Sequence, residues 1–351
     1  MLKKTLELFK TMKLFYFQFV YYLRNYLKLA NILTCSVLLS ICTSTYSLEL
    51  FYLDKNNTVI GSVRSIDVNE NDNVADMANF YKTGFQDLLI ANPEAHHWNP
   101  EPHTKYVIPS MYILPQKNYN GIILNLAELR LYYYMKSSDL YENTKVLTFP
   151  VGIGRLDWKT PLGETFIKSK VESPSWYPPK SIILEHEERG EILPREVKAG
   201  PDNPLGNFAL KLDVDGGYLL HGTNKKYGIG MMVSHGCIRL RNEDIETIFY
   251  NTPLKTKVKI INEPIKLGAL NNFLYMEVHA FNNKEVYSNN QKNILTTENI
   301  YKPITVVMDF IDKNPEYEIN WKEVLRIYEK SDGIPAIVGK KSNSRQNIAK
   351  N

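Results

Sequence analysis

The hydrophobic rhythm of the chain changes several times, and each change marks a different kind of element. An aromatic stretch from Leu14 to Leu23 and an uncharged run from Leu29 to Cys42 are followed by small and polar residues ending at Ser47. From about Thr58 to Pro115 the pattern reads strand, helix, helix, strand. Ser62 to Val68 has strand character, and Asn71-Asp72-Asn73 caps a helix whose Val74, Met77, Ala78 and Phe80 share an apolar face. Lys82-Thr83-Gly84 breaks that helix, Phe85 to Ala91 forms a second one stopped by Asn92-Pro93, and Val107-Ile108 begins the return strand. The rhythm then turns to short β-like runs separated by Pro and Gly: Gly121 to Leu126, Leu129 to Tyr134, Lys145 to Gly152, Thr165 to Val171, Tyr218 to His221 and Gly236 to Leu240. Asn242 is placed to cap a helix over Glu243 to Phe249, and Lys257 to Ile261 closes this second module as a strand.

These readings divide the chain into a presequence (1–47), an α/β unit (58–115), a mainly β module (120–262), a mixed accessory segment (263–339) and a polar, disordered tail (340–351). The β module is expected to be a sandwich or irregular barrel. In the accessory segment, Asn271 to Val278 reads as a strand, while Ile304 to Ile311 and Trp321 to Tyr328 read as helices. No internal repeat is evident.

Composition narrows the function classes. With 44% hydrophobic and 23% charged residues, the chain as a whole is neither disordered nor a multi-span membrane protein. Its formal charge of +4 is concentrated at the front: six of the 42 basic residues but one of the 38 acidic ones lie in the first 47, so the remainder carries −1. That removes the compositional case for a nucleic-acid partner. The same front segment has the order of an export signal, with Thr45 and Ser47 at the −3 and −1 positions of a cleavage site. The alternative is an uncleaved anchor, although the uncharged run is shorter than the roughly 20 residues a span needs. Ile41, bulkier than the small residue expected before a lipidated cysteine, argues against lipidation at Cys42.

Setting the presequence aside leaves Cys237 as the lone thiol, since Cys35 and Cys42 fall within it. A single cysteine in an oxidising compartment is either buried as a small apolar residue or kept for its chemistry. Its surroundings favour chemistry. The run HGTNKKYGIGMMVSHGCIRL, His221 to Leu240, gathers one thiol, two imidazoles and four glycines. Zinc is a poor fit, because His235 and Cys237 are two positions apart, His221 is distant and no fourth ligand is obvious. No metal and no cofactor is expected.

This run resembles the signature of the L,D-transpeptidase catalytic domain, the YkuD or ErfK/YbiS type: a His, a spacer, then Ser-His-Gly-Cys, here Ser234-His235-Gly236-Cys237. TPLGETFI (160–167), SWYPPKSI (175–182) and LPREVKAGPDNPLGNFAL (193–210) are similar to family segments in the family's order. The resemblance implies that Cys237 is the nucleophile and His221 the general base and acid, oriented by the backbone carbonyl of Gly222. It counts Ser234 among the site residues and has His235 support the loop and substrate, with His235 still open as an alternative base. Gly236 permits the turn that points amides at a developing oxyanion. Arg239 is placed to hold a substrate carboxylate, or else to form a surface ion pair.

The implied reaction is attack on the L-centre carbonyl of meso-diaminopimelate in a peptidoglycan stem tetrapeptide, release of D-Ala, and transfer from the thioester to an amine. That amine is a second diaminopimelate, giving a 3→3 crosslink, or the Lys of an outer-membrane lipoprotein; water would make the chain a carboxypeptidase or a hydrolase. A non-catalytic wall-binding protein is a further alternative, which the intact signature disfavours. The α/β unit, through NDNVADMANFYKTGFQDLLIANP and YVIPSMYILP, resembles a LysM module that binds glycans in the wall, with Asn71 where that family usually has Gly. A purely structural cap is the other reading. Together these features imply an exported, periplasmic enzyme.

Overall fold

The computed structural model describes residues 50–53, 57–96, 98–135, 144–155, 160–279 and 297–342. The expected presequence and residues 343–351 of the expected tail lie outside the described residues. No described helix is long and apolar enough to cross a membrane.

The chain is mainly β. Nine strands hydrogen-bond in the order Leu50–Tyr52, Lys145–Pro150, Arg130–Met135, Gly121–Asn125, Lys257–Ile261, Gly163–Glu172, Phe208–Leu212, Leu219–His221 and Ile238–Arg239. Gly121–Asn125 is buried along its whole length and pairs in parallel with Lys257–Ile261, so its near-continuous apolar run is what a doubly covered strand requires. The 257–261 strand instead alternates, burying Val258 and Ile260. Leu131, Phe149, Ile167, Leu210, Leu220 and Ile238 contribute to the same core. Helix Asn242–Asn251 closes it with Ile245, Ile248 and Phe249, the Phe249 ring lying 4.8 Å from that of Phe208. Fully burying Ile245 and Ile248 contributes about 1.5–3 kcal/mol each.

Asn242 does not cap this helix as the sequence suggested. Arg241 holds the N-cap position, and the Asn242 amide faces the preceding loop, accepting from Thr223 N–H (3.0 Å) and donating to Thr223 O (3.0 Å).

In the α/β unit, Arg64–Asp67 pairs antiparallel with Lys105–Ile108, and helices Val74–Phe80 and Phe85–Ala91 lie between them in sequence. Asn73 caps the first helix by accepting from Asp76 N–H at 2.8 Å. The return strand begins at Lys105, ahead of the expected Val107. Val59–Gly61 and Met111–Ile113 form a second pair within the unit, and Thr58 N–H beside it donates to Ala269 O at 2.8 Å.

The accessory segment is a four-stranded antiparallel sheet in the order Ile265–Leu270, Phe273–Val278, Ala336–Lys341, Tyr317–Ile319, packed with helices Thr297–Lys313 and Trp321–Lys330. The expected strand from Asn271 starts two residues later, because Asn271 takes a positive φ of 56° in the hairpin turn. Lys340 and Lys341, expected in the disordered tail, are the end of strand Ala336–Lys341: Lys340 pairs with Phe273 and Glu318. This layer is tied to the β module by a buried charge cluster. Lys266 Nζ donates to Glu128 Oε2 (2.7 Å) and Ile113 O (2.6 Å) and lies 3.1 Å from Glu277 Oε1, which His279 also meets at 2.7 Å.

Candidate active site

The site grows out of one sheet edge. Strand Leu219–His221 pairs in parallel with Ile238–Arg239 in the register Leu220 to Ile238 and His221 to Arg239. Side chains alternate along a strand and paired residues share a face, so Leu220 and Ile238 enter the core while His221 and Arg239 project to the opposite side, and Cys237, in the bend just before the second strand, meets the Leu219 backbone N–H and the Arg239 charge. Local pairing thus brings together groups sixteen residues apart in the chain.

His221 is buried, and its Nδ1 lies 2.6 Å from Gly222 O. A carbonyl only accepts, so Nδ1 carries the hydrogen and the neutral ring keeps its lone pair on Nε2. Burial holds this imidazole down at about 4, with the Arg239 charge pushing the same way and the Gly222 carbonyl opposing. Cys237 is a half-buried free thiol. Burial pushes it up, against the Leu219 backbone N–H and the Arg239 charge, both of which favour the thiolate.

The turn into Cys237 is built by internal hydrogen bonds. Ser234 is buried at the end of strand Met232–Ser234, where its hydroxyl donates to Cys237 O (2.5 Å) and accepts from Gly236 N–H (3.2 Å). Gly236 has φ +101°, a conformation that favours glycine, and its carbonyl accepts from Thr160 Oγ1 at 2.9 Å. The Gly236 N–H, expected to face an oxyanion, is therefore already engaged by Ser234. Gly222 is held closely too: a Cβ there would come within 2.2 Å of Asn242 Oδ1.

His235 is held by a carboxylate. Its Nε2 lies 2.6 Å from Glu185 Oε2, on helix Lys180–Glu187, and Arg155 grips the same carboxylate with two nitrogens at 3.1 and 3.0 Å. Arg155, then His235, hold Glu185 at about 2. Sequence reasoning named neither Arg155 nor Glu185. Thr160 lay within a quoted family segment but had no assigned role, and Glu185 is one of 38 acidic residues with nothing local to distinguish it. Arg239 is half-buried, and among the described residues no carboxylate pairs with it. Burial and the charge of Arg155 disfavour its ionised form, while Cys237 favours it.

Among the described residues, one group of carboxylates and imidazoles is close enough to share a cation: Glu128, Glu277 and His279, within 4.8 Å of one another. Lys266 already supplies a positive charge there. The group belongs to the packing of the accessory layer, and Cys237 is not part of it.

Residues 119–260 match the YkuD family, the L,D-transpeptidase catalytic domain. The probable L,D-transpeptidase ErfK/SrfK of Escherichia coli is 36% identical over 268 residues, 76% of this chain and 81% of the relative. The chain belongs to the L,D-transpeptidase family. Such enzymes are cysteine-dependent acyltransferases. The ErfK/SrfK protein of Salmonella typhimurium is 33% identical and matched over 92% of its length, whereas Escherichia coli YbiS is 42% identical but matched over 63%. The solved L,D-transpeptidase of Mycobacterium smegmatis shares 16% identity, with a TM-score of 0.29 over 46% of this chain and 71% of that one.

Proposed function

We propose that the chain transfers acyl groups between peptidoglycan stem peptides and an amine, with Cys237 as nucleophile and His221 as general base and then general acid. The observation that carries this reading is the parallel pairing of 219–221 with 238–239, which puts His221 beside Arg239 and brings the adjoining Cys237 thiol to the Leu219 N–H, while Gly222 O fixes the imidazole tautomer. In the first half-reaction His221 Nε2 takes the thiol proton as sulfur attacks the L-centre carbonyl of diaminopimelate. The same imidazole returns that proton to the departing D-Ala amine, leaving a thioester. In the second half-reaction an incoming amine loses its proton to His221 and attacks the thioester carbonyl, the C–S bond breaks as the new amide forms, and the imidazolium returns the proton to the Cys237 sulfur. With Gly236 N–H spent on Ser234, the Cys237 N–H is the amide of this turn left to face the oxyanion. Arg239, without a carboxylate of its own among the described residues, suits a donor carboxylate.

The acceptor is read as diaminopimelate or a lipoprotein lysine, and trapping by water would make the same site a carboxypeptidase or a hydrolase. The LysM-like unit is read as a glycan-binding module, and residues 1–47 as the signal or anchor that takes the chain to the periplasm. Mass spectrometry of muropeptides incubated with the purified chain, with and without acceptor amines, tests the reading. New amide-linked products that vanish in Cys237→Ala are expected, and acyl transfer by Cys237→Ala would overturn it. Products trimmed of D-Ala without any adduct would instead favour the hydrolytic reading.

A further inference from the structure

The segment 222–233 joins His221 to Ser234, so it starts at the carbonyl that orients the imidazole and ends at the hydroxyl that braces the Cys237 turn. One edge of it is bonded to the β module: Gly230 N–H donates to Val151 O (3.1 Å) and Met231 O accepts from Ile153 N–H (3.1 Å). Its other edge is bonded to the α/β unit. Phe85 N–H donates to Ile229 O (3.2 Å) and Gln86 N–H to Gly230 O (3.4 Å), while Met231 packs against the apolar core of that unit. The approach is so close that a Cβ on Gly230, whose φ is +76°, would lie 2.4 Å from Gly84 Cα.

The unit also grips the far side of the signature. Arg241 directly follows Leu240, and its buried guanidinium donates to Ala78 O (2.9 Å), Thr83 O (2.8 Å) and Asn79 Oδ1 (2.9 Å). Lys82 reaches Glu243 at 2.7 Å. These are fixed, mostly buried main-chain contacts rather than the exposed rim of a tethered module.

We infer that the α/β unit 58–115 is a positioning clamp on the reacting groups, holding segment 222–233 so that His221, Ser234 and Cys237 keep their geometry whether or not the substrate carries a glycan. This rests on the assignment of Cys237 and His221 as the reacting pair. A tethered binding module raises the local concentration only of what it binds, and so acts on glycan-bearing substrate alone. A clamp acts on every donor, because small misplacement of reacting atoms is costly in rate.

Gly84→Val in the full chain separates the two. Gly84 has φ −75° and ψ 148°, which any residue adopts, and a Cβ there would sit 3.2 Å from Gly230 Cα and 2.6 Å from the Asp87 carboxylate, which lies 3.6 Å from the buried Arg130 guanidinium. With a glycan-free stem tetrapeptide as donor, kcat is expected to fall at least about tenfold while KM changes less than about threefold. Sacculus binding should stay close to that of the parent, and Gly84→Ala should show a smaller loss in kcat. A folded Gly84→Val with parental kcat on the glycan-free donor overturns the clamp, as does a loss confined to glycan-bearing donors. Should the Val variant fail to fold, Gly84→Ala decides by the same criterion. The two assignments fail separately: activity in Cys237→Ala would remove the reacting pair, whereas an indifferent Gly84→Val removes only the clamp.

Discussion

Both reacting groups proposed for this chain are uncharged in the resting protein at neutral pH, and His221→Ala exposes the consequence. With the imidazole held at about 4, only about one ring in a thousand is protonated at pH 7. Burial has meanwhile pushed the thiol up, so a preformed thiolate–imidazolium pair is not the ground state. The proton must cross from sulfur to Nε2 as attack proceeds, and the imidazole acts as a true general base. Alkylation of Cys237 by iodoacetamide, followed from about pH 5 to about pH 10, should then rise once, above the ordinary thiol range. His221→Ala should alkylate at nearly the parental rate at pH 7, yet lose about 10²–10⁴-fold in acyl transfer. A flat alkylation rate between about pH 5 and about pH 8 that disappears in His221→Ala would refute the reasoning, because it is the mark of an ion pair.

The same burial sets a stability window. A folded-state value of about 4 against an ordinary 6.5 means the unfolded chain takes up a proton that the folded chain refuses. The associated stability is fully present above pH 6.5 and is lost as pH falls to 4, about 3 kcal/mol in all. Replacing His221 by Ala should flatten the acid limb of urea-unfolding curves by up to about 1.4 kcal/mol per pH unit within that window.

Three further outcomes are expected. Glu185→Ala, which removes the carboxylate shared by Arg155 and His235, should lower kcat on the order of tenfold with the unfolding midpoint unchanged, and Glu185→Gln should recover part of it; unchanged kcat in steady-state kinetics would show that His235 needs no such anchor. Arg239→Gln should cost donors with a free terminal carboxylate about ten- to a hundredfold in kcat/KM, the worth of a charge-assisted hydrogen bond, while a donor amidated there should be nearly indifferent; equal losses for both would place the carboxylate elsewhere. Lys266→Met should destabilise by about 3–5 kcal/mol in urea, since it strips the cation from two buried carboxylates. Although burial opposes it, Lys266 and His279 hold Glu277 at about 2, so the stability from this carboxylate is present above 4.5 and fades as pH falls towards 2.

What could be read from the sequence depended on whether a residue's partner lay nearby in the chain. Helix Phe85–Ala91 was legible to the residue because Gly84 and Asn92-Pro93 bracket it with local backbone rules. The signature was legible because thiol, imidazole and glycine crowd into one run. Asn242 was misread for the converse reason: ahead of Glu243 and Asp244 it looks like a cap, but Thr223, nineteen positions earlier, claims its amide. Strand Ile265–Leu270 hid its buried Lys266 because period-2 reasoning assigns a lysine to solvent, and nothing near it in sequence announces Glu128. Glu185 escaped in the same way, fifty positions from His235.

The polar groups that shape the reacting turn are largely satisfied from within the signature itself: Nδ1 of His221 by Gly222, Gly236 N–H by Ser234, and the Cys237 carbonyl by the same hydroxyl. Such a turn can set the chemistry of the thioester but has few donors or acceptors left with which to choose an acceptor amine. That choice must come from outside it. The segment between strands 163–172 and 208–212 is the nearest source, since it brings Glu185 from helix Lys180–Glu187 against His235 and leaves Tyr177, Leu184 and Ile192 exposed. Acceptor specificity should therefore vary with sequence in 173–207 while the chemistry of Cys237 stays constant, so exchanging that segment between relatives is expected to move the acceptor and not the donor.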